Sequence, residues 1–323
     1  MTPKANVCAQ IEQDLIAAAT GEAGMAVTRR VHDHIGVCAP CGGEYARYRA
    51  LEHALGSWRQ APRAPAGLED ARKRLDTSLG DLKRRTLIYR VFPSPLGNIL
   101  IAASEQGVSL VEYLGRAKRV AHSRLGRLHG VESIEDGDDL EGLHRELLDY
   151  LAGRRERLGW PLDLRLARSD FHRTVLRATS EIPYGALMSY AGVACEVGQP
   201  AATRAVAQAL RWNPLPIVIP CHRVVGATGR LVGYAGDKLG LKERLLSTEG
   251  IRVEHANATA QVNPRAMYVG EPNDRWYCLP TCSSLESLTH PRRLVYFGTR
   301  QRAEGTGREP CDTCRPDLHP LAS

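Results

Sequence analysis

Three short apolar runs, Tyr89–Phe92, Asn98–Ala103 and Ser109–Tyr113, are broken by Pro-Leu-Gly and Glu-Gln-Gly signals and predict three strands joined by turns. Beyond them the period of the apolar positions lengthens to that of a helix, from Leu140 to Leu151 and again from Phe171 to Ser180. A turn at Ile182-Pro183-Tyr184-Gly185, a short helix from Ser189 and a helix opened by Pro200 and running to Arg211 then read as a helix-turn-helix. Pro216-Ile217-Val218-Ile219 is apolar and β-branched, the pattern of a fully buried strand. Pro220 cannot donate to a ladder, so that strand should stop there and present Cys221 at its end. Towards the N-terminus, Ile11–Ala19 and Glu44–Leu55 read as short helices, whereas Gln60–Arg85 shows no clear core face and reads as a linker or exposed helix.

A length of 323 residues suggests two or three domains. No apolar run approaches the ~18 residues of a membrane span. Glu12, Gln13 and Asp14 interrupt the core that a signal peptide would need, so a cytoplasmic protein is expected, and a monomer is expected besides. The formal net charge is +7, and 166–250 carries ten Lys/Arg against six Asp/Glu, a net of +4. That excess permits a polyanionic partner such as DNA without identifying one.

The nine cysteines fall into two metal-spaced groups plus Cys195 and Cys221. His34-x3-Cys38-x2-Cys41 offers three soft ligands, and Cys8 can close the tetrahedron. Cys278-x3-Cys282 and Cys311-x2-Cys314 form a four-cysteine set. Two structural zinc ions and a reducing compartment are the expectation.

Pro220-Cys221-His222-Arg223-Val224 places a thiol beside an imidazole. Only the thiolate is a good nucleophile, so such a cysteine needs an adjacent base or positive charge. With Ile182-Pro183-Tyr184-Gly185, Ser189-Tyr190, Arg204-Ala205-Val206-Ala207, Asn213-Pro214, Gly233-Tyr234 and the 242–250 stretch KERLLSTEG, the chain resembles the O6-alkylguanine-DNA alkyltransferase family. The match runs in ordered register from Phe171 to Gly250, and 89–115 looks like the same family's β-rich subdomain.

The resemblance implies DNA repair by irreversible transfer of an alkyl group from O6-alkylguanine to Cys221, with no cofactor for the transfer and double-stranded DNA as partner. It makes His222 the base acting through a water, Glu249 the carboxylate that orients it, and Tyr190 the donor to the purine. Asn213 braces the backbone before the cysteine. Arg204 enters the minor groove, with Ala205 and its small neighbours close to the backbone. Tyr234, Ala235 and Gly236 line the alkyl pocket, although the loop after Tyr234 departs from the family's glycine pattern. Read without the resemblance, Tyr190 also fits a half-buried core tyrosine, and Glu249 an ordinary surface carboxylate.

Residues 265–323 resemble the zinc domain of the bacterial adaptive-response protein, here C-terminal to the transferase unit instead of N-terminal. That makes Cys278 a candidate second methyl acceptor, while similar domains are purely structural. The N-terminal block resembles zinc-binding anti-sigma-factor modules, which implies a protein partner. The expected organisation is therefore multidomain α+β. It comprises a zinc-binding helical module over 1–58, a linker over 59–85, a β-rich subdomain over 86–165, a helix-turn-helix catalytic domain over 166–252, a linker over 253–264, and a four-cysteine zinc domain over 265–323. A different class of protein, a zinc-dependent regulator that responds to alkylation or binds a sigma factor, shares the cysteine sets but gives Pro-Cys-His-Arg no task.

Overall fold

Residues 4–60, 67–116, 120, 123–136, 138–235, 238–256, 259–287 and 292–321 are described by the computed structural model. The chain divides into two units, Met1–Ser78 and Leu79–Ser323.

In the first unit, α1 (Lys4–Thr20), α2 (Met25–Ile35) and α3 (Ala39–Gln60) enclose Ile11, Leu15, Ala18 and Val31. So small a core gains from a covalent or metal staple, because too little apolar surface leaves water to offset chain entropy. The stretch expected as a linker or exposed helix holds α4 (Gly67–Arg85), on which Leu75, Leu79 and Leu82 are exposed.

The second unit begins with β1 (Thr86–Phe92), β2 (Asn98–Ser104), β3 (Gly107–Gly115) and β4 (Glu132–Glu135), in the order β3-β2-β1-β4. β2 is apolar on both faces because both are covered. Leu100 and Ala102 face a cluster with Leu87, Leu110 and Leu125, while Ile99 and Ile101 join the main core. Alternation of side chains across the pleat produces this split. That main core receives Leu147 and Tyr150 from α5 (Glu141–Leu151) and Val175 and Leu176 from α6 (Asp170–Ser180). Each fully buried Leu or Ile contributes roughly 1.5–3 kcal/mol.

After α6 come β5 (Ala186–Ser189), α7 (Tyr190–Glu196) and α8 (Thr203–Arg211). Ser189 caps α7 by accepting from the Gly192 N–H. α8 begins at Thr203, not at Pro200, because the Ala202 N–H is turned back to the Gln199 carbonyl at 2.8 Å and closes a separate turn.

The expected strand over Pro216–Ile219 does not form. Ile217 has a φ of 75°, and the Ile219 N–H bonds back to the Leu215 carbonyl at 2.8 Å. Pro214, Pro216 and Pro220 supply no N–H, so a ladder would be full of gaps. The segment is nevertheless buried, and a β-branched residue in the left-handed region is costly unless its surroundings enforce it.

β6 (Val224–Val225) and α9 (Leu239–Thr248) follow. The stretch expected as a linker over 253–264 contains a hairpin of β7 (Glu254–Ala256) and β8 (Thr259–Gln261). The C-terminal block holds β9 (Tyr268–Gly270), β10 (Trp276–Tyr277), β11 (Val295–Phe297), α10 (Arg300–Glu304) and β12 (Glu309–Pro310). It does not stand apart from the helix-turn-helix region. β11 pairs antiparallel with β5, giving one sheet of order β6-β5-β11-β9.

Candidate active site

Asn213 organises the segment that replaces the expected strand. Its Nδ2 donates to the Ile219 carbonyl at 3.0 Å and its Oδ1 accepts from the Leu215 N–H at 2.9 Å. One side-chain amide thus does locally what a sheet would have done, and the same Nδ2 reaches Cys221 Sγ at 3.1 Å. Arg124 secures the approach to this segment by donating to the carbonyls of Trp212 and Asn213.

Cys221 opens a 3-10 turn and is 7% exposed. It lines a cavity of about 250 Å3 with Tyr190, Val232, Gly233, Tyr234, Ala235 and the α8 residues Ala207, Gln208 and Arg211. Burial pushes the Cys221 thiol up, against the pull of the Asn213 amide and the Lys242 ammonium. The resting sulfur therefore keeps its proton until a base removes it.

An imidazole sits beside it in sequence. His222 is fully buried, and its Nε2 lies 2.6 Å from Glu249 Oε1. A carboxylate there fixes the proton on Nε2, which leaves Nδ1 as the basic nitrogen. His222 Nδ1 is buried without a hydrogen-bond partner among the described residues. Burial holds the imidazole below its ordinary value, with Glu249 opposing, so the ring rests neutral.

Glu249 collects donors from four residues on three elements. Tyr150 Oη on α5 donates at 2.5 Å, Arg223 Nε reaches both oxygens at 3.1 and 2.9 Å, and the Gly185 N–H reaches Oε2 at 3.1 Å, besides His222. Burial acts to raise this carboxyl, yet His222 and Arg223 together hold it down at about 2. It is a permanently ionised, fully engaged carboxylate, not a surface residue.

Several members of this cluster escaped the sequence reading. Lys242 is fully buried, and its Nζ donates to the Val224 carbonyl at 2.5 Å. Burial lowers its ammonium to about 8, with Cys221 opposing. Arg223 and Lys242 stood inside the quoted motifs without an assigned role, and only their burial distinguishes them from surface cations. Tyr150 comes from the helix before the catalytic region, 99 positions from Glu249, and carries no local signal.

Tyr190 lines the cavity and donates to the Val232 carbonyl at 3.0 Å. Tyr234 is tied by its hydroxyl to Tyr113 at 2.8 Å, so the β-rich subdomain supports a residue of the cavity wall. Ala235 adopts a φ of 42°, and Gly236 lies outside the described residues. Arg204 and Ala205 are exposed on the first turns of α8, whose Val206 and Leu210 face inward.

Both expected metal sets are assembled. The ligand atoms of Cys8, His34, Cys38 and Cys41 lie within 4.8 Å of one another, as do those of Cys278, Cys282, Cys311 and Cys314. Cys8 Sγ is 3.9 Å from Cys38 Sγ and 3.8 Å from His34 Nε2. Those are the edges of a tetrahedron about 3.8 Å on a side, which Zn–S bonds of about 2.3 Å produce, and are far too long for a disulfide. Burial, together with the neighbouring Cys38 and Cys8, pushes the Cys41 thiol up to about 12. Cys278 is buried in its set, with its own N–H and C=O both bonded to Val269.

Comparison with known proteins bears on 87–251. Residues 170–251 match the family model "6-O-methylguanine DNA methyltransferase, DNA binding domain" and 87–164 match "6-O-methylguanine DNA methyltransferase, ribonuclease-like domain". The methylated-DNA–protein-cysteine methyltransferase of Methanosarcina acetivorans is 36% identical over 166 residues, 51% of this chain and 99% of that protein. The constitutive enzyme of that name from Bacillus subtilis is 36% identical over 168 residues, 50% of this chain and 95% of that protein. Among solved structures, the O6-methylguanine methyltransferase of Mycobacterium tuberculosis is 34% identical, covers 50% of this chain and 92% of its own, and superposes with a TM-score of 0.43.

Proposed function

We propose that this chain, which belongs to the methylated-DNA–protein-cysteine methyltransferase family, repairs O6-alkylguanine in DNA by moving the alkyl group onto Cys221. The observation that supports the reading is that Cys221 lines a cavity and is followed in sequence by His222, which is buried and paired with Glu249.

In the reaction, a sulfur–carbon bond forms as the carbon–O6 bond breaks, and the electron pair of that bond passes to the purine. The thiol proton leaves through a water to His222 Nδ1, and ionised Glu249 stabilises the imidazolium that results. Tyr190, in the same cavity, releases Val232 and donates to the purine as it gains charge. Thioether formation is irreversible, so each protein reacts once.

The O6 atom is closed inside a duplex, and the nucleotide must be turned out to reach the cavity. Arg204 is the residue proposed to fill the vacated stack, since a guanidinium plane both stacks and hydrogen-bonds. Arg204→Ala should slow transfer from duplex DNA by about ten-fold or more, and from free O6-benzylguanine by less than about two-fold. Equal losses on both substrates, measured by loss of the modified base, would instead give Arg204 a part in the fold or the chemistry.

Both cysteine sets are proposed as structural zinc sites, one stapling the three N-terminal helices and the other the β10 and β12 knuckles. Metal analysis of the purified protein should find two zinc ions per chain, and one per chain after Cys8→Ser. A chain with no zinc would remove this assignment and leave the transfer chemistry untouched.

A further inference from the structure

The turn at Ile182–Gly185 is held from two sides. On the catalytic side, the Gly185 N–H donates to Glu249 Oε2 at 3.1 Å, Tyr184 Oη to the Thr248 carbonyl at 2.9 Å, and Arg223 Nη1 to the Ile182 carbonyl at 2.6 Å. On the other side stands the C-terminal block. The Gly298 N–H donates to the Gly185 carbonyl at 3.0 Å, and Ala186 pairs with Phe297 in the sheet. The Arg302 guanidinium lies 4.5 Å from the centroid of the Tyr184 ring, and its Nη1 pairs with Glu156. Its stem crosses Gly185 so closely that a Cβ there would sit 2.9 Å from Arg302 Cδ, and Gly185 also has a φ of 70°. A single glycine is thus sandwiched between Arg302 and the carboxylate that orients the catalytic base.

α10, which carries Arg302, is itself anchored to the cysteine set. Tyr277 Oη donates to Glu304 at 3.0 Å, and the Cys311 N–H donates to the Tyr277 carbonyl at 3.0 Å. The matched family models end at 251, so every one of these contacts from 277 to 311 is additional to the part of the chain that they cover.

We propose that the C-terminal cysteine module positions the catalytic relay, and that Arg302 is the positioning residue through which it does so; this rests on the alkyl-transfer reading above. Arg302 touches neither Cys221 nor the alkyl group. By pressing on Tyr184 and Gly185 it fixes the direction of the Gly185 N–H, which is one of the donors that aim Glu249 at His222. A hydrogen bond to a charged acceptor weakens steeply when its angle is lost, and a misaimed Glu249 leaves the imidazolium less stabilised in the transition state.

The test uses the full chain and free O6-benzylguanine, a substrate without phosphates, so that any role of Arg302 in holding DNA drops out. The rate at saturating substrate and the half-saturating concentration are measured separately. Arg302→Ala should lower the saturated rate about ten-fold with the half-saturating concentration unchanged. Arg302→Lys, which keeps the charge facing Glu156, should recover part of the loss. Glu156→Gln, a change at an exposed side chain that the fold tolerates, should slow the saturated rate about two-fold by loosening Arg302. Arg302→Ala that melts earlier yet reacts at the wild-type saturated rate would reduce Arg302 to a tether and overturn the proposal. If Arg302→Ala does not fold, a wild-type rate for Glu156→Gln overturns it equally. A wild-type chain that transfers nothing would instead sink the functional reading itself.

Discussion

Glu249→Gln should slow alkyl transfer to Cys221 by about 10²–10⁴-fold, the range that general acid–base assistance commands, while leaving the cavity in place. Gln keeps the volume and one acceptor oxygen but removes the charge opposite His222 and Arg223. The imidazolium formed during transfer then lacks its counter-ion, and the buried Arg223 loses its ion-pair partner. Breaking one side of a buried pair costs about 3–5 kcal/mol, so the denaturant midpoint should fall as well.

The pH dependence follows from the same group. Glu249 is held at about 2 because His222 and Arg223 outweigh its burial. Its folded value lies below the ordinary glutamate value of about 4.3, so its stabilisation is complete above that pH and disappears as the pH falls towards 2. That acid limb should be missing from Glu249→Gln. His222, held below its ordinary value chiefly by burial, adds a loss that begins near pH 6.5 and is present in both proteins. Circular dichroism at neutral pH separates a slow, folded variant from an unfolded one. A folded Glu249→Gln that reacts within about two-fold of wild type would remove Glu249 from the relay.

Cys221→Ser should abolish transfer altogether while DNA binding changes by less than about two-fold. A serine hydroxyl is a far weaker nucleophile at neutral pH than a thiol whose proton is leaving, and neither Asn213 nor His222 can make up that difference. The side chain is only 7% exposed, so it offers no phosphate contact whose loss would weaken binding. Transfer by this variant at any rate near wild type would place the acceptor elsewhere.

Much of this site was legible in the chain because its chemistry is concentrated in contiguous motifs. Pro-Cys-His-Arg sets sulfur and imidazole side by side, and Glu249 follows at the end of α9, so their meeting required only a short return of the chain. Both cysteine sets were legible for the same reason, since ligand spacing is a local property. The strand expected at Pro216–Ile219 failed because burial, not pairing, explained its apolar run. Asn213, read only as a brace, supplies the hydrogen bonds that a sheet would otherwise provide. Tyr150 and Tyr113 act across more than 70 positions, beyond what periodicity can report. The least legible feature was the union of β11 with β5. Val295–Phe297 is too short to read as a strand alone and takes its register from a partner some 109 residues earlier.

The most direct measurement is peptide-mapped mass spectrometry after the intact chain is incubated with an equimolar duplex containing one O6-methylguanine. One methyl group per protein is expected, carried on Cys221, with guanine restored in the duplex. A chain that leaves the lesion in place, or gains its methyl on a residue other than Cys221, would contradict this expectation.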